Sequence, residues 1–265
     1  MKLGPPPWIA AHRGAEPLLE NTIPALRLAV EEGADLLEFD VQSTIDGALV
    51  LHHDPTLARL AGRPDLAVES ATLHELAALE LRHPQSPAPV GCAPGSIPTL
   101  AELFAALPRD FPVNVEIKRQ GFDIGHLAAL ALEATAGREN VLVSSFDLEL
   151  LRELRRRSPE VRIAPLAHRL SPELERIGRE LGAWSLHVAG GIARGNASST
   201  RARHGPPLLV YTVNEASRAR LLFARGVCGV FTDRPGALRA ELGRAGDSGI
   251  LSRTYRGTGA PRRFA

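Results

Sequence analysis

Leu36-Leu37-Glu38-Phe39-Asp40-Val41 is the stretch that decides the fold. It is short, apolar and rich in residues that favour strands, yet it ends on two carboxylates. Two more apolar runs likewise end on ionisable residues, Trp8-Ile9-Ala10-Ala11-His12 and Val113-Asn114-Val115-Glu116-Ile117-Lys118. Strands this apolar and this brief read as parallel and covered on both faces. Working outward, further candidates lie at 141–145, 162–166, 184–188, 208–213 and 229–232, with helical patterns at 23–32, 124–135, 148–157, 172–181, 215–225 and 235–242. Eight strands alternating with helices predict a (β/α)8 TIM barrel, at about the 250 residues such barrels take. An open doubly wound sheet competes, but no Gly-x-Gly-x-x-Gly turn follows the first strand.

One segment breaks the alternation. After Val41 the chain reads Thr44-Ile45-Asp46-Gly47, then Leu49-Val50-Leu51-His52-His53. Asp-Gly between apolar runs is a hairpin signal, and the gap is too short for a parallel crossover. A two-residue turn on Asp46-Gly47 predicts His53 opposite Asp40, at the rim of strand 2. From about residue 55 to 98 the chain reads as an irregular insertion, with one helical stretch at 72–79 and a proline-rich loop at 83–98 that is a candidate lid. Thr99 with Glu102 forms a capping box for the next helix. The expected organisation is one barrel domain over 1–245 and a basic, flexible tail over 246–265.

Composition narrows the class. The chain has 265 residues, 44% hydrophobic and 23% charged, with a formal charge of +1. That is globular, and there is no basic field to recruit nucleic acid. Cys92 and Cys228 stand far apart and offer neither zinc spacing nor a disulfide framework. No apolar run is long enough for a membrane span. These readings predict a cytoplasmic protein.

Functional residues of such a barrel sit at the C-terminal strand ends. His12, Glu38, Asp40, Glu116 and Lys118 all fall there. Residues two apart on a strand share a face, so Glu38 and Asp40 converge. A lone carboxylate pair is commonly an ordinary salt bridge; that pair together with Glu116 and Lys118 at the same spacing and two histidines is not. Carboxylates converging at one mouth repel unless a cation joins them, and all-oxygen donors favour one divalent Mg²⁺ or Ca²⁺. His12 and His53 form the natural acid–base couple, since imidazole titrates near neutral pH. Arg13 and Lys118 carry the charge to hold a phosphate. This set suits phosphoryl transfer better than acyl or sugar chemistry.

The chain resembles the glycerophosphodiester phosphodiesterases, relatives of the metal-dependent barrel phospholipases. The marks, over roughly residues 8–240, are His12-Arg13-Gly14, Glu20-Asn21-Thr22, Glu38-Phe39-Asp40-Val41, Asp46-Gly47, His53-Asp54-Pro55, Ile97-Pro98-Thr99-Leu100, Val115-Glu116-Ile117-Lys118, Tyr211-Thr212-Val213-Asn214 and Phe231-Thr232-Asp233. The resemblance implies that Glu38, Asp40 and Glu116 bind the metal, His12 and His53 serve as general acid and base, and Arg13 and Lys118 hold phosphate. Glu20, His187 and Asn214 are expected to stand behind them, with a structural role for His187 equally open. Leu19 replaces the family's usual proline and Tyr211 its common tryptophan, which bears on substrate preference. The implied reaction is hydrolysis of a small glycerophosphodiester to sn-glycerol 3-phosphate and an alcohol. A lysophospholipase D or sphingomyelinase D-like enzyme is the first alternative, a barrel that binds phosphodiesters without turnover the second. A phosphosugar isomerase or aldolase barrel is a third, but no glycine-rich phosphate cradle follows strands 7 and 8. The oligomeric state is not readable.

Overall fold

The computed structural model describes residues 1, 3–83, 95–119, 121–190 and 205–245. Among the described residues there are eleven strands: β1 (Trp8–His12), β2 (Leu36–Ser43), β3 (Leu49–Leu51), β4 (Thr56–Leu57), β5 (Arg63–Ala67), β6 (Val113–Ile117), β7 (Val141–Ser145), β8 (Ile163–Ala167), β9 (Leu186–Ala189), β10 (Leu208–Tyr211) and β11 (Gly229–Thr232). Eight of them pair in parallel in the order β1-β11-β10-β9-β8-β7-β6-β2, and β2 pairs back to β1. The sheet is therefore a closed (β/α)8 barrel, as the alternation predicts. Closure leaves the parallel sheet without an unpaired edge.

The helices follow from their caps. Thr22 caps the helix Ile23–Glu31, with Pro24 in its first turn. Asp147 accepts from two backbone amides at the start of Leu148–Arg157, while Arg155, Arg156 and Arg157 complement its C-terminal dipole. The Thr99–Glu102 capping box is formed.

Strand alternation sorts the core. Leu37, Phe39, Val41, Val113, Val115, Ile117 and Val143 face the helices in one apolar cluster. The alternate residues face into the barrel. At the strand starts these are apolar, with Trp8, Ala10, Leu36, Leu209 and Phe231 in one cluster and Trp8 stacked on Trp184 at 5.5 Å. Toward the C-terminal ends they turn polar: Glu38, Asp40, Asn114, Glu116, Ser144 and His187 are all buried. The strands are covered on both faces, but only the helix side is apolar throughout.

The hairpin differs by one residue from expectation. β3 pairs antiparallel with β2 as Val41–Leu51, Gln42–Val50 and Ser43–Leu49. The loop holds three residues, closed by Thr44 N–H to Ala48 O at 2.9 Å. Gly47 sits at φ +84°, the left-handed residue that a three-residue loop requires. His52, not His53, then stands opposite Asp40, and its N–H donates to Asp40 O at 3.1 Å.

The insertion is more ordered than its sequence suggests. β4 and β5 form a small antiparallel sheet beside a helical turn at Ala58–Ala61, and the expected helix spans Leu73–Ala77. Leu57, Leu60, Val68, Leu76 and Leu81 pack with Leu19, Val50 and Ile97 in a satellite core. The insertion returns to its point of departure: Leu51 N–H donates to Pro98 O at 2.8 Å, and Val50 bridges Thr99. Cys92, most of the proline-rich loop and the tail from 246 lie outside the described residues.

Candidate active site

Glu38, Asp40 and Glu116 come together where β2 and β6 end. One carboxylate oxygen from each lies within 4.8 Å of the others, and the residues are only 3%, 1% and 7% exposed. Parallel register sets this up, since Asp40 pairs directly with Glu116 across the sheet. Arg13 and Lys118 lie among them. Arg13 Nε is 3.0 Å from Asp40 Oδ2, and Lys118 Nζ is 2.8 Å from Asp40 Oδ1 and bonded to Glu116. The two contacts on Asp40 are close as ion pairs without hydrogen-bond alignment.

Asp40 is held firmly. Asn21, at φ +56°, donates to Asp40 Oδ2 at 2.9 Å and accepts from Asp40 N–H at 3.0 Å. Burial would raise the Asp40 pKa, but Arg13 and Lys118 overcome it and keep the carboxyl well below its ordinary range. Glu38 goes the other way. Burial first, then the charges of Asp40 and Glu116, push it well up, and its Oε1 is buried without a hydrogen-bond partner. Glu116 is also raised, by burial and then by Asp40. Two buried carboxyls driven upward, one with an orphan oxygen, fit a hard divalent cation that would restore the charged form.

The two histidines share one arrangement. His12 Nδ1 lies 2.8 Å from Asp233 Oδ1, and His53 Nδ1 lies 2.7 Å from Asp54 Oδ1. A carboxylate on Nδ1 fixes the ring and leaves Nε2 for proton transfer. Asp233 Oδ2 accepts from Asn214 at 2.7 Å, and Asn214 Oδ1 accepts from Thr232 Oγ1 and Asp233 N–H, each at 2.9 Å. Burial pulls His53 below its ordinary value, against the nearby Asp40 charge.

His53 reaches the site despite the shifted register because the chain leaves the hairpin after the His52 N–H bond to Asp40 O. Gln42 Nε2 donates to the carbonyls of both His52, at 2.7 Å, and Asp54, at 2.8 Å, which turns His53 toward the cavity. His52 is buried, its Nε2 3.3 Å from Thr56 O.

A cavity of about 260 Å³ is lined by His12, Arg13, Glu38, His53, Glu116 and Lys118, with Asn114, His187, Tyr211 and Phe231 among its further walls. A wider groove of about 510 Å³ continues along Lys118, Arg119, Phe146 and Asp147. Phe146 is 42% exposed and rests on His168 and Tyr211, with ring centres 5.2 and 6.4 Å away. His187 is fully buried, 2.9 Å from Ser185 Oγ and edge-on to Phe231, and burial pushes it down to about 3. It lines the cavity as a neutral wall. Glu20 pairs with Arg13 and Arg59.

All seven residues expected to react or to bind metal and phosphate thus line the cavity or, for Asp40, join those that do. Sequence reasoning did not assign contacts to Asn21, Gln42, Asp54 or Arg59. The short motifs Glu20-Asn21-Thr22 and His53-Asp54-Pro55 carry two of them in plain view.

Comparison with known proteins agrees with the resemblance. The profile of the glycerophosphoryl diester phosphodiesterase family matches residues 12–237. A glycerophosphodiester phosphodiesterase of Caldanaerobacter subterraneus subsp. tengcongensis is 32% identical over 236 residues, covering 87% of this chain and 95% of its own. A phosphodiesterase of Oleispira antarctica, solved in complex with the product sn-glycerol-3-phosphate, is 25% identical with a TM-score of 0.79, covering 90% of this chain and 97% of its own. A glycerophosphodiester phosphodiesterase of Thermotoga maritima is 28% identical with a TM-score of 0.69, covering 88% and 97%.

Proposed function

The chain belongs to the glycerophosphoryl diester phosphodiesterase family and is a phosphoric diester hydrolase; from that premise we propose that it hydrolyses glycerophosphodiesters to sn-glycerol 3-phosphate and an alcohol, by metal-dependent catalysis with a histidine pair. The observation that carries this reading is the pairing of each histidine with its own carboxylate in the cavity that two of the three clustered buried acids also line. Glu38, Asp40 and Glu116 would hold one Mg²⁺ or Ca²⁺ ion. Such a cation supplies charge neutralisation and polarises a phosphoryl oxygen.

The chain's own groups account for the rest. Arg13 and Lys118 bind the phosphate and offset its developing charge. The nucleophile's oxygen forms the new P–O bond as the bond to the leaving alcohol breaks. His53, whose pKa burial lowers so that the neutral ring is favoured, is suited to take the nucleophile's proton at Nε2. His12, held by Asp233, returns a proton to the leaving alkoxide. Phe146 borders the groove that would receive the alcohol, and Tyr211 lines the adjoining cavity.

The test is release of sn-glycerol 3-phosphate from glycerophosphocholine, glycerophosphoethanolamine, glycerophosphoglycerol and glycerophosphoinositol. It is run with EDTA and then with Mg²⁺ or Ca²⁺ restored. Release that returns with the ion supports the reading and ranks the head groups. A folded protein that releases nothing under any condition contradicts it, and cleavage of lysophospholipids alone would transfer the activity to a lipid substrate. Among the described residues no helix is long and apolar enough to cross a membrane.

A further inference from the structure

Arg59 has no place in the chemistry above and does not line the cavity, yet it makes three side-chain hydrogen bonds at the rim of the site. Its Nε donates to Asp54 Oδ2 at 2.7 Å. Its Nη1 and Nη2 donate to the two oxygens of Glu20, at 2.8 and 2.7 Å. Each of those carboxylates has a second task. Asp54 holds the His53 ring, and Glu20 accepts from Arg13 Nη1 at 3.2 Å. An unbroken side-chain chain therefore runs His53–Asp54–Arg59–Glu20–Arg13.

The backbone beneath this chain is fixed by packing. Leu57 and Leu60, which flank Arg59, lie in the satellite core. So do Leu19, next to Glu20, and Val50, on the hairpin strand that leads to His53. The segments around Leu19, Val50 and residues 57–60 are locked there by apolar contact, and Arg59 joins their polar ends. Stability does not explain the arrangement, because half-exposed ion pairs contribute little to folding. Geometry does. A planar guanidinium can present one edge to Asp54 and a fork to Glu20 at once, which an ammonium cannot.

We infer that Arg59 is a positioning residue that couples the proton-transfer arm of His53 to the phosphate clamp of Arg13, so that the insertion after β3 serves to align the site. This rests on the phosphodiesterase reading. The test is steady-state turnover of the best glycerophosphodiester by wild type, Arg59→Gln and Arg59→Lys, each checked for an unchanged fold by circular dichroism. Arg59→Gln is expected to lower kcat about tenfold or more through His53 and to raise KM severalfold through Arg13. Arg59→Lys keeps the charge but loses the fork, and is expected to recover one parameter without the other. Asp54→Asn and Glu20→Gln then form a double-mutant cycle. In wild type their effects should deviate from multiplying by at least about fivefold, and in Arg59→Gln they should simply multiply. If either Arg59 variant turns over within twofold of wild type in both kcat and KM, or the cycle multiplies in both backgrounds, the coupling is refuted. An inactive wild type sinks the phosphodiesterase reading itself, and the coupling falls with it; active wild type with indifferent Arg59 variants sinks the coupling alone.

Discussion

The two histidine arms reach the same local geometry by different construction. His12 is the last residue of β1, and its carboxylate follows β11, the neighbouring stave, with Asn214 behind it just after β10. Every member of that arm hangs on the closed barrel. His53 stands beyond β3, its carboxylate is the next residue in the chain, and the group behind that is Arg59 from the insertion. The first arm inherits its precision from the sheet. The second takes it from the satellite core and from the Gln42 clamp. A site can thus be half framework and half attachment, and the halves should fail differently.

Replacing either ring should have the largest effect. His12→Ala and His53→Ala are each expected to lower kcat by about a thousandfold with the fold intact, within the 10²–10⁴ that general acid–base catalysis supplies. Near-normal turnover in either variant removes that residue from the reaction. Glu38→Ala comes next. It should weaken Mg²⁺ or Ca²⁺ binding by calorimetry about a hundredfold, as even outer partners of a metal are worth 10–100-fold, and wild-type affinity would end its role as a ligand.

The carboxylates behind the rings separate the arms. Asp233→Asn and Asp54→Asn should each cost roughly tenfold to a hundredfold in kcat by disturbing the ring and its tautomer. Only Asp54→Asn should also raise KM, because only that arm leads on to Arg13; equal KM effects would mean the arms are alike. Leu57→Ala probes the attachment. It should cost about 2–4 kcal/mol in urea denaturation, and turnover should fade with denaturant before the barrel's circular dichroism does. Coincident transitions would show that satellite and barrel unfold as one.

The effect that is smallest at neutral pH concerns a histidine in neither arm. His187 is pushed down to about 3 by burial, so the unfolded chain takes its proton first. Its contribution is complete above pH 6.5 and is lost as pH falls toward 3, by roughly 1.4 kcal/mol per unit. His187→Gln should flatten the acid limb of the urea midpoint plotted against pH, and an unchanged limb would contradict the neutral buried ring.

The barrel was legible because its strands announce themselves: β1, β7 and β11 match the sequence reading end for end, as apolar runs bounded by charge or turns. The seven principal site residues were legible because they sit at those ends. The hairpin register was missed by one because Asp46-Gly47 serves a two-residue or a three-residue loop equally well, and only the left-handed Gly47 and the Thr44–Ala48 closure decide. The small sheet was missed because Arg63-Pro64-Asp65-Leu66-Ala67 has little strand character. The contacts of Asn21 with Asp40 and of Arg59 with Glu20 span 19 and 39 residues and leave no local pattern to read.

The insertion leaves β3 after Leu51 and returns to it at Pro98 and Thr99. Its two ends are therefore neighbours whatever lies between them. Lengthening such a closed excursion is cheap, at about 0.6 kcal/mol for each doubling of the loop. The stretch beyond Arg59, outside its packed residues, is a port where length and composition could be changed by design while the staves carrying the three buried acids keep their register. Any graft that preserves Leu57, Arg59 and Leu60 at its root, together with the packed Val68, Leu76 and Leu81, should leave the rim in working order.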